Sequence, residues 1–175
     1  MLALPDRTVV RVSPQDPGAS RVAAVTTNVF NPSKDDVRRF FCDAWRKHRD
    51  GALLSPLEAV ALDWMLRHPE YQHEFEDVEA ALKREYSVDD GRINPFLHMS
   101  MHLAIAEQVS IDQPPGVRNV FDKLAARGDE HAAMHQMMEC LGEVVWSAQR
   151  AGDAVPADQM TERYLECLRR RASGV

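Results

Sequence analysis

The sequence predicts an all-α protein, a single-domain bundle of about six to seven helices, and three features of the chain predict it. Apolar residues recur at steps of three and four from residue 30 onward, which is the period of an amphipathic helix. These segments begin at capping residues and prolines and end near glycines or prolines. The pattern shows no strand pair and no internal repeat. We therefore expect one helical bundle domain over residues 30–175.

The first part of the chain differs from this pattern. Residues 1–29 contain scattered valines among proline, serine and threonine, and they show no sustained helical period. We expect them to form a disordered arm. The alternative is a mis-assigned start, with translation beginning near Val29, since a valine codon can serve as a bacterial start and the helical pattern begins just beyond it.

Each predicted helix has a recognisable start. Ser33 and Asp36 form a capping-box pattern for the first helix, and Ser55, Pro56 and Glu58 form one for the second. In order, the predicted helices span residues 33–49, 55–69, 69–85, 94–110, 117–127, 129–150 and 157–171. We expect the second helix to bury one apolar stripe, made of Leu57, Val60, Ala61 and Trp64.

Charge and hydropathy exclude two classes of partner. The net charge is -6 and the isoelectric point is near 5.6, whereas a nucleic-acid-binding protein usually shows a basic footprint. No apolar run approaches the roughly 20 residues that span a bilayer, and the N-terminus lacks a signal-peptide pattern. We therefore expect neither nucleic acid nor membrane as a partner.

The cysteines indicate a reducing compartment. Cys42, Cys140 and Cys167 are odd in number, widely spaced and form no CxxC motif. This pattern argues against a disulfide framework and against a thiolate zinc site. Cys140 lies beside an apolar stripe and is expected to be a small core residue. We expect a cytoplasmic protein.

Two histidine pairs suggest a metal site. His98 and His102 stand four residues apart in one predicted helix, as do His131 and His135 in another, so each pair lies about 40° apart on one helix face. Two such HxxxH helices could supply four imidazoles to one ion. Glu139 lies one turn beyond His135 and could be a ligand, an orienting carboxylate or a base. Imidazole donors suit zinc or iron best.

The alternative, structural interpretation is that these histidines are half-buried and hydrogen-bonded to backbone or acidic groups. HxxxH also lacks the catalytic glutamate of the HExxH motif, and the chain has no phosphate loop or nucleophile elbow. Catalytic residues therefore stay unknown, and the sequence does not decide whether the protein is an enzyme. We expect His68 to end a helix, His73 to face water, and His48 to complement a helix dipole.

A second hypothesis is a metal-free helical module for protein interaction, with a homodimer or another protein as its partner. Trp45, Trp64 and Trp146 are its candidate anchors, although their helical spacing favours core positions. The environment of the histidines separates the two hypotheses. Converging imidazoles favour a metal, whereas imidazoles on separate faces favour the interaction module.

Four stretches of the chain carry a family resemblance. They are "FNPSKDDVRRFFCDAW", "LSPLEAVALDWMLRHPEY", "NPFLHMSMHLAIAEQVSIDQPPG" and "HQMMECLGEVVWSAQR". In this order they resemble a bacterial family known as domain-of-unknown-function family 1841, over about residues 29–150. The resemblance implies an uncharacterised bacterial cytoplasmic protein and implies no activity. The first 28 residues lie outside it, which favours the late start.

Overall fold

The fold is all-α, as the sequence predicts. A computed structural model describes residues 32–86, 93–150 and 155–174, and these residues form seven α-helices, one 3-10 helix and no strand. The α-helices are α1 (Lys34–Arg49), α2 (Pro56–Leu66), α3 (Val78–Lys83), α4 (Pro95–Ile111), α5 (Val117–Ala125), α6 (Glu130–Arg150) and α7 (Ala157–Ser173). The 3-10 helix, Pro69–Phe75, lies between α2 and α3.

The chain divides into two compact units, residues 1–36 and residues 37–175. In the described part of the first unit, Ser33 and Asp36 form the expected capping pattern. The amide of Asp36 donates to Ser33 Oγ over 3.1 Å, and the amide of Ser33 donates to Asp36 Oδ2 over 3.0 Å. The arm expected at residues 1–29 lies outside the described residues.

The cap at the start of α2 is also the expected one. Ser55 Oγ accepts from the amide of Glu58, and the Glu58 carboxylate accepts from the amide of Ser55 over 2.8 Å. Lys47 Nζ lies 2.7 Å from the same carboxylate. This neighbouring ammonium, through its hydrogen bond, is the main reason that the pKa of Glu58 falls to about 2.

The helix predicted over residues 69–85 is interrupted. The 3-10 helix ends at Phe75, and α3 begins at Val78 after Asp77, which has extended backbone angles. The Asp77 carboxylate accepts from the amides of Glu79 and Ala80 over 2.9 and 3.1 Å. An aspartate that caps a helix in this way satisfies free backbone donors and starts a new helix.

Every described helix contributes residues to the core of residues 37–175, and α2, α4, α5, α6 and α7 contact one another in chain order. The prediction of which face of α2 is buried is partly wrong. Leu57 is 58% exposed and Val60 is 42% exposed, whereas Leu62 and Met65 are buried with Ala61. The apolar residues of α2 occur on most sides of the helix, so the helical period does not identify one buried face.

The interpretation of the cysteines is corrected by the structure. Cys140 in α6 and Cys167 in α7 form a disulfide, and Cys42 is the free cysteine among the described residues. Cys140 is fully buried, as expected of a core residue, but it is covalently paired. Sequence spacing alone does not encode which helices pack together, which is why the pairing was not predicted. No described helix is long and apolar enough to cross a membrane.

Candidate metal centre

His68 occupies the centre of the site. It follows α2 directly and precedes Pro69, and its backbone angles of φ -123° and ψ 68° are non-helical because a proline follows it. Its side chain is 1% exposed. Nδ1 lies 2.8 Å from the carbonyl oxygen of Trp64 and donates to it, since a carbonyl can only accept. In a neutral ring with this tautomer, Nε2 carries the lone pair.

Four further imidazoles converge on that lone pair, two from α4 and two from α6. Their Nε2 atoms lie 3.1 Å (His98), 3.2 Å (His102), 2.9 Å (His131) and 3.3 Å (His135) from Nε2 of His68. Each helix contributes its pair from one face, because residues four apart are separated by little more than one helical turn. We call these five residues the histidine cluster.

Aromatic neighbours hold the histidine cluster in place. The indole of Trp64 stacks on the imidazole of His102, with ring centroids 4.4 Å apart and planes within 14°. The phenol ring of Tyr71 lies parallel to His68, at 5.8 Å and 9°. Arg67 covers the Trp64 ring, with its guanidinium carbon 4.9 Å from the ring centroid. These contacts restrict the rotation of two of the five imidazoles.

The histidine cluster is built for neutral imidazoles. Burial lowers the pKa of His98 to about 4 and that of His102 to about 2, and the neighbouring histidines add to both effects. The pKa values of His131 and His135 are lowered as well, first by burial and then by nearby imidazoles. At neutral pH these rings are uncharged, which is the form that binds metal ions.

The arrangement could hold a metal ion. The ligand atoms of His68, His98, His102 and His135 all lie within 4.8 Å of one another, and His131 adds a fifth nitrogen 2.9 Å from that of His68. His102 is fully buried, and its Nδ1 has no hydrogen-bond partner among the described residues.

The structure brings together four of the five candidate residues named from the sequence, namely His98, His102, His131 and His135. It does not bring Glu139 into the histidine cluster. The side chain of Glu139 is 57% exposed, and its Oε2 lies 2.9 Å from the guanidinium of Arg171 in α7. Metal binding by any of these residues stays a prediction.

Sequence reasoning missed His68, which was assigned only to the end of a helix. A usable signal was present, because Ala61, Trp64 and His68 follow the helical period and the first two are buried. Extending that buried stripe by one turn places His68 inward. His73, by contrast, is exposed as expected, with 66% of its side chain accessible beside Glu74.

The fold and the site together define a class of protein: a helical bundle with a histidine cluster assembled from the end of α2 and from the facing sides of α4 and α6. Residues 33–170 match the family model described as "Domain of unknown function (DUF1841)", and the chain belongs to that family. The resemblance found in the sequence is thus confirmed. No curated protein and no solved structure matched the chain.

Proposed function

We propose that the protein binds one transition-metal ion at the histidine cluster, with iron(II) as the physiological ion and His68, His98, His102, His131 and His135 as its ligands. The convergence of the five Nε2 atoms carries this proposal. Without a cation, four ring nitrogens compete for the single lone pair of His68, in a site where His68 and His102 are buried, and protein groups leave most of these nitrogens unsatisfied. A metal ion accepts a lone pair from every ring at once.

The number of imidazole nitrogens supports iron over zinc. Imidazoles bind such ions at about 2.0–2.1 Å, so neighbouring ligands are about 3.0 Å apart at right angles and about 3.4 Å apart in a tetrahedron. The four distances from His68, 2.9 to 3.3 Å, are close to both values, so they fit ligands of one ion. Structural zinc sites are almost always four-coordinate, whereas five imidazole nitrogens would suit an ion that takes more than four ligands.

The five imidazoles would leave room for chemistry at the ion. A bound iron(II) ion would supply a site for water or a small exogenous ligand, which metal-assisted catalysis requires. Among the described residues, no carboxylate belongs to the group of side chains that could hold the ion. The neutral ligands leave the ion's charge uncompensated, which favours iron(II) over iron(III).

The experiment that tests this proposal is elemental analysis of the full chain purified without a histidine tag. The wild type is compared with a His102→Ala/His135→Ala double variant and with His73→Ala. The last variant is the matched control, because His73 is exposed and lies outside the histidine cluster. We expect about one iron ion per chain in the wild type and in His73→Ala, and loss of iron in the double variant.

Other outcomes are informative as well. Stoichiometric zinc that disappears in the double variant would support the site and replace iron as its ion. No metal in the purified wild type, and none taken up when the protein is titrated anaerobically with iron(II), zinc(II) or nickel(II), would overturn the proposal. Circular dichroism of each variant establishes that the helices have formed.

A second candidate function is self-association through an apolar surface. A cleft of about 640 Å³ lies between α2 and α4, and Leu57 and Val60 line it while remaining largely exposed. Trp45 and Trp64 are each 7% exposed and belong to the core, whereas Trp146 is 59% exposed. Exposed apolar residues around a cleft are typical of an interaction site. Sedimentation equilibrium of the wild type and of Leu57→Glu tests this candidate, and a monomeric wild type would contradict a homodimer.

A cytoplasmic location in a bacterium is also part of our proposal. The family resemblance supports it. The disulfide removes the earlier support from the cysteine pattern, because disulfides persist mainly in oxidising compartments. Fractionation of the native host followed by immunoblotting would decide the compartment.

A further inference from the structure

The disulfide joins the helix that carries two of the clustered histidines to the last described helix. Cys140 in α6 and Cys167 in α7 are 27 residues apart in sequence. Small secreted domains need such bridges because their cores are too small to hold them together. Here the two helices also share buried apolar residues, among them Met137 and Leu168, which are both fully buried. The buried apolar residues already hold the two helices together, so the disulfide is available for a role in redox chemistry.

The two cysteines differ in their access to the surface. A surface cavity of about 280 Å³ is lined by Glu143, Cys167, Arg170 and Arg171. Cys167 is 4% exposed and lines this cavity, whereas Cys140 is 0% exposed and does not. Thiol–disulfide exchange requires the attacking thiolate to reach one sulfur in line with the other. From this cavity, the reachable sulfur is that of Cys167.

Arg170 gives the cavity a group that can bind an acidic reagent. The Arg171 guanidinium lies 2.9 Å from Glu139 and 3.4 Å from Glu143, so its charge is compensated. The guanidinium of Arg170 has no ion-pair or hydrogen-bond partner within the described part of the chain, although it lines the same cavity. Arginine binds carboxylates with a planar fork of N–H groups. A small thiol that bears a carboxylate can therefore dock on Arg170 beside the disulfide.

We propose that Cys167 is a site of thiol–disulfide exchange for a carboxylate-bearing low-molecular-weight thiol, and that the Cys140–Cys167 disulfide is reversibly opened there. The thiolate of the reagent attacks Sγ of Cys167, the disulfide bond breaks, and Sγ of Cys140 leaves as a thiolate that takes up a proton. The thiolate of a second reagent molecule then attacks the sulfur of the first reagent molecule in the mixed disulfide. Cys167 is released as a thiol, and the two reagent molecules become a disulfide. Two electrons pass from the reagent to the protein.

The fold around the bridge allows the exchange to be local. Leu168 and Tyr164 of α7 are 0% and 4% exposed, and the ion pairs of Arg171 with α6 lie beside the bridge. These contacts keep α7 on α6 after the covalent bond is broken. The Glu143 carboxylate lies 3.7 Å from Sγ of Cys167, where it can accept a hydrogen bond from the reduced thiol. This inference stands independently of the proposed metal ion.

The direct experiment traps the mixed disulfide in the wild-type full chain. The oxidised protein is incubated with reduced glutathione, a tripeptide thiol with two carboxylates, and the reaction is stopped by acid. Peptide mapping by mass spectrometry then locates the glutathione. We expect it on Cys167, with Cys140 recovered as a free thiol. Glutathione on Cys140, or a disulfide that opens only when urea unfolds the helices, would overturn the proposal.

A charge comparison tests the docking of the reagent. Initial rates of disulfide opening are measured for the wild type and for Arg170→Gln with reduced glutathione and with uncharged 2-mercaptoethanol. We expect the substitution to slow glutathione several-fold and to leave the rate with 2-mercaptoethanol unchanged. Arg169→Gln is the matched control, because Arg169 neighbours Arg170 but does not line this cavity. Equal slowing of both reagents, or no slowing of either, would contradict the role of Arg170.

Discussion

His68 and Trp64 are joined by a hydrogen bond of 2.8 Å from the imidazole Nδ1 to the carbonyl oxygen one turn earlier. The same tryptophan stacks its indole on His102. Trp64 thus orients two of the five imidazoles, one through its backbone and one through its ring. Because Nδ1 of His68 donates to this carbonyl oxygen, the ring takes the tautomer in which Nε2 is free to bind a metal. The position of Trp64 in α2 therefore orients the imidazoles of His68 and His102.

The first prediction concerns the unequal contributions of the five histidines to metal affinity. We expect His68→Ala to weaken metal binding by more than about 100-fold, and by more than His131→Ala does. Nε2 of His68 lies within 3.3 Å of the Nε2 atom of every other histidine in the cluster, and His68 is nearly fully buried. His131 is only partly buried, and it is not among the four histidines whose ligand atoms all lie within 4.8 Å of one another. Competition with a chromophoric chelator measures both affinities. Wild-type affinity in a folded His68→Ala variant would contradict the prediction.

The two histidine pairs could be predicted from sequence because each pair lies within one helix, where the period alone fixes the relative direction of side chains. His68 could not be joined to them on the same grounds. It contacts residues that are 30, 34, 63 and 67 positions away, and such proximity depends on how helices pack. Glu139 shows the same limit. It follows His135 by one turn, but its carboxylate pairs with Arg171 of α7, and the sequence pattern does not encode this contact between two helices.

The fold was predictable to a similar extent. Capping residues mark the starts of helices locally, and Ser55 and Asn94 act as the N-caps that their sequences indicate. The break at Asp77 was missed because the same residue type also occurs inside helices, and only its backbone angles show its role as a cap. The Cys140–Cys167 bridge was missed because it depends on the contact between α6 and α7.

The second prediction uses Trp64 as an optical reporter of the site. Cobalt(II) or nickel(II) has a partly filled d shell and quenches a nearby indole, whereas zinc(II) has a filled shell and does not. Because the Trp64 and His102 rings are 4.4 Å apart, we expect saturating cobalt(II) or nickel(II) to quench part of the tryptophan fluorescence. In Trp64→Phe, the quenching of the two remaining tryptophans should be much weaker. Equal quenching in both proteins would place the ion elsewhere.

The third prediction concerns the buried Arg38, which is 1% exposed. Its guanidinium donates to the carbonyl oxygens of Leu82 and Arg84 over 3.0 and 2.8 Å and so completes the end of α3. Removing it leaves two carbonyl groups without this donor, so we expect Arg38→Met to lower the free energy of unfolding by about 2–4 kcal/mol. Urea denaturation measures this change. Arg39→Met is the exposed control and should change stability by less than about 0.5 kcal/mol.

The fourth prediction is a loss of stability of the metal-free protein in mild acid. The pKa of His98 is about 4 and that of His102 about 2 in the folded protein, below the usual 6.5. As the pH falls below 6.5, the unfolded chain takes up protons at these positions and the folded chain does not. The free energy of unfolding therefore falls with pH, down to about 4 for His98 and lower for His102. Each histidine contributes at most about 1.4 kcal/mol per pH unit.

The carboxylate of Glu58 provides the control, because its effect lies in a different pH range. Its folded pKa of about 2 is below the usual 4.5, so its pairing with Lys47 stabilises the fold above pH 4.5 and is lost as the pH falls toward 2. Urea denaturation of metal-free protein between about pH 7 and pH 5 should therefore show the histidine effect without that of Glu58. In this range we expect His98→Gln to reduce the slope of stability against pH and Glu58→Gln to leave it unchanged. A flat wild-type profile above pH 5 would mean that the imidazoles are hydrated and free to protonate, which would argue against the buried, neutral cluster on which the metal proposal rests.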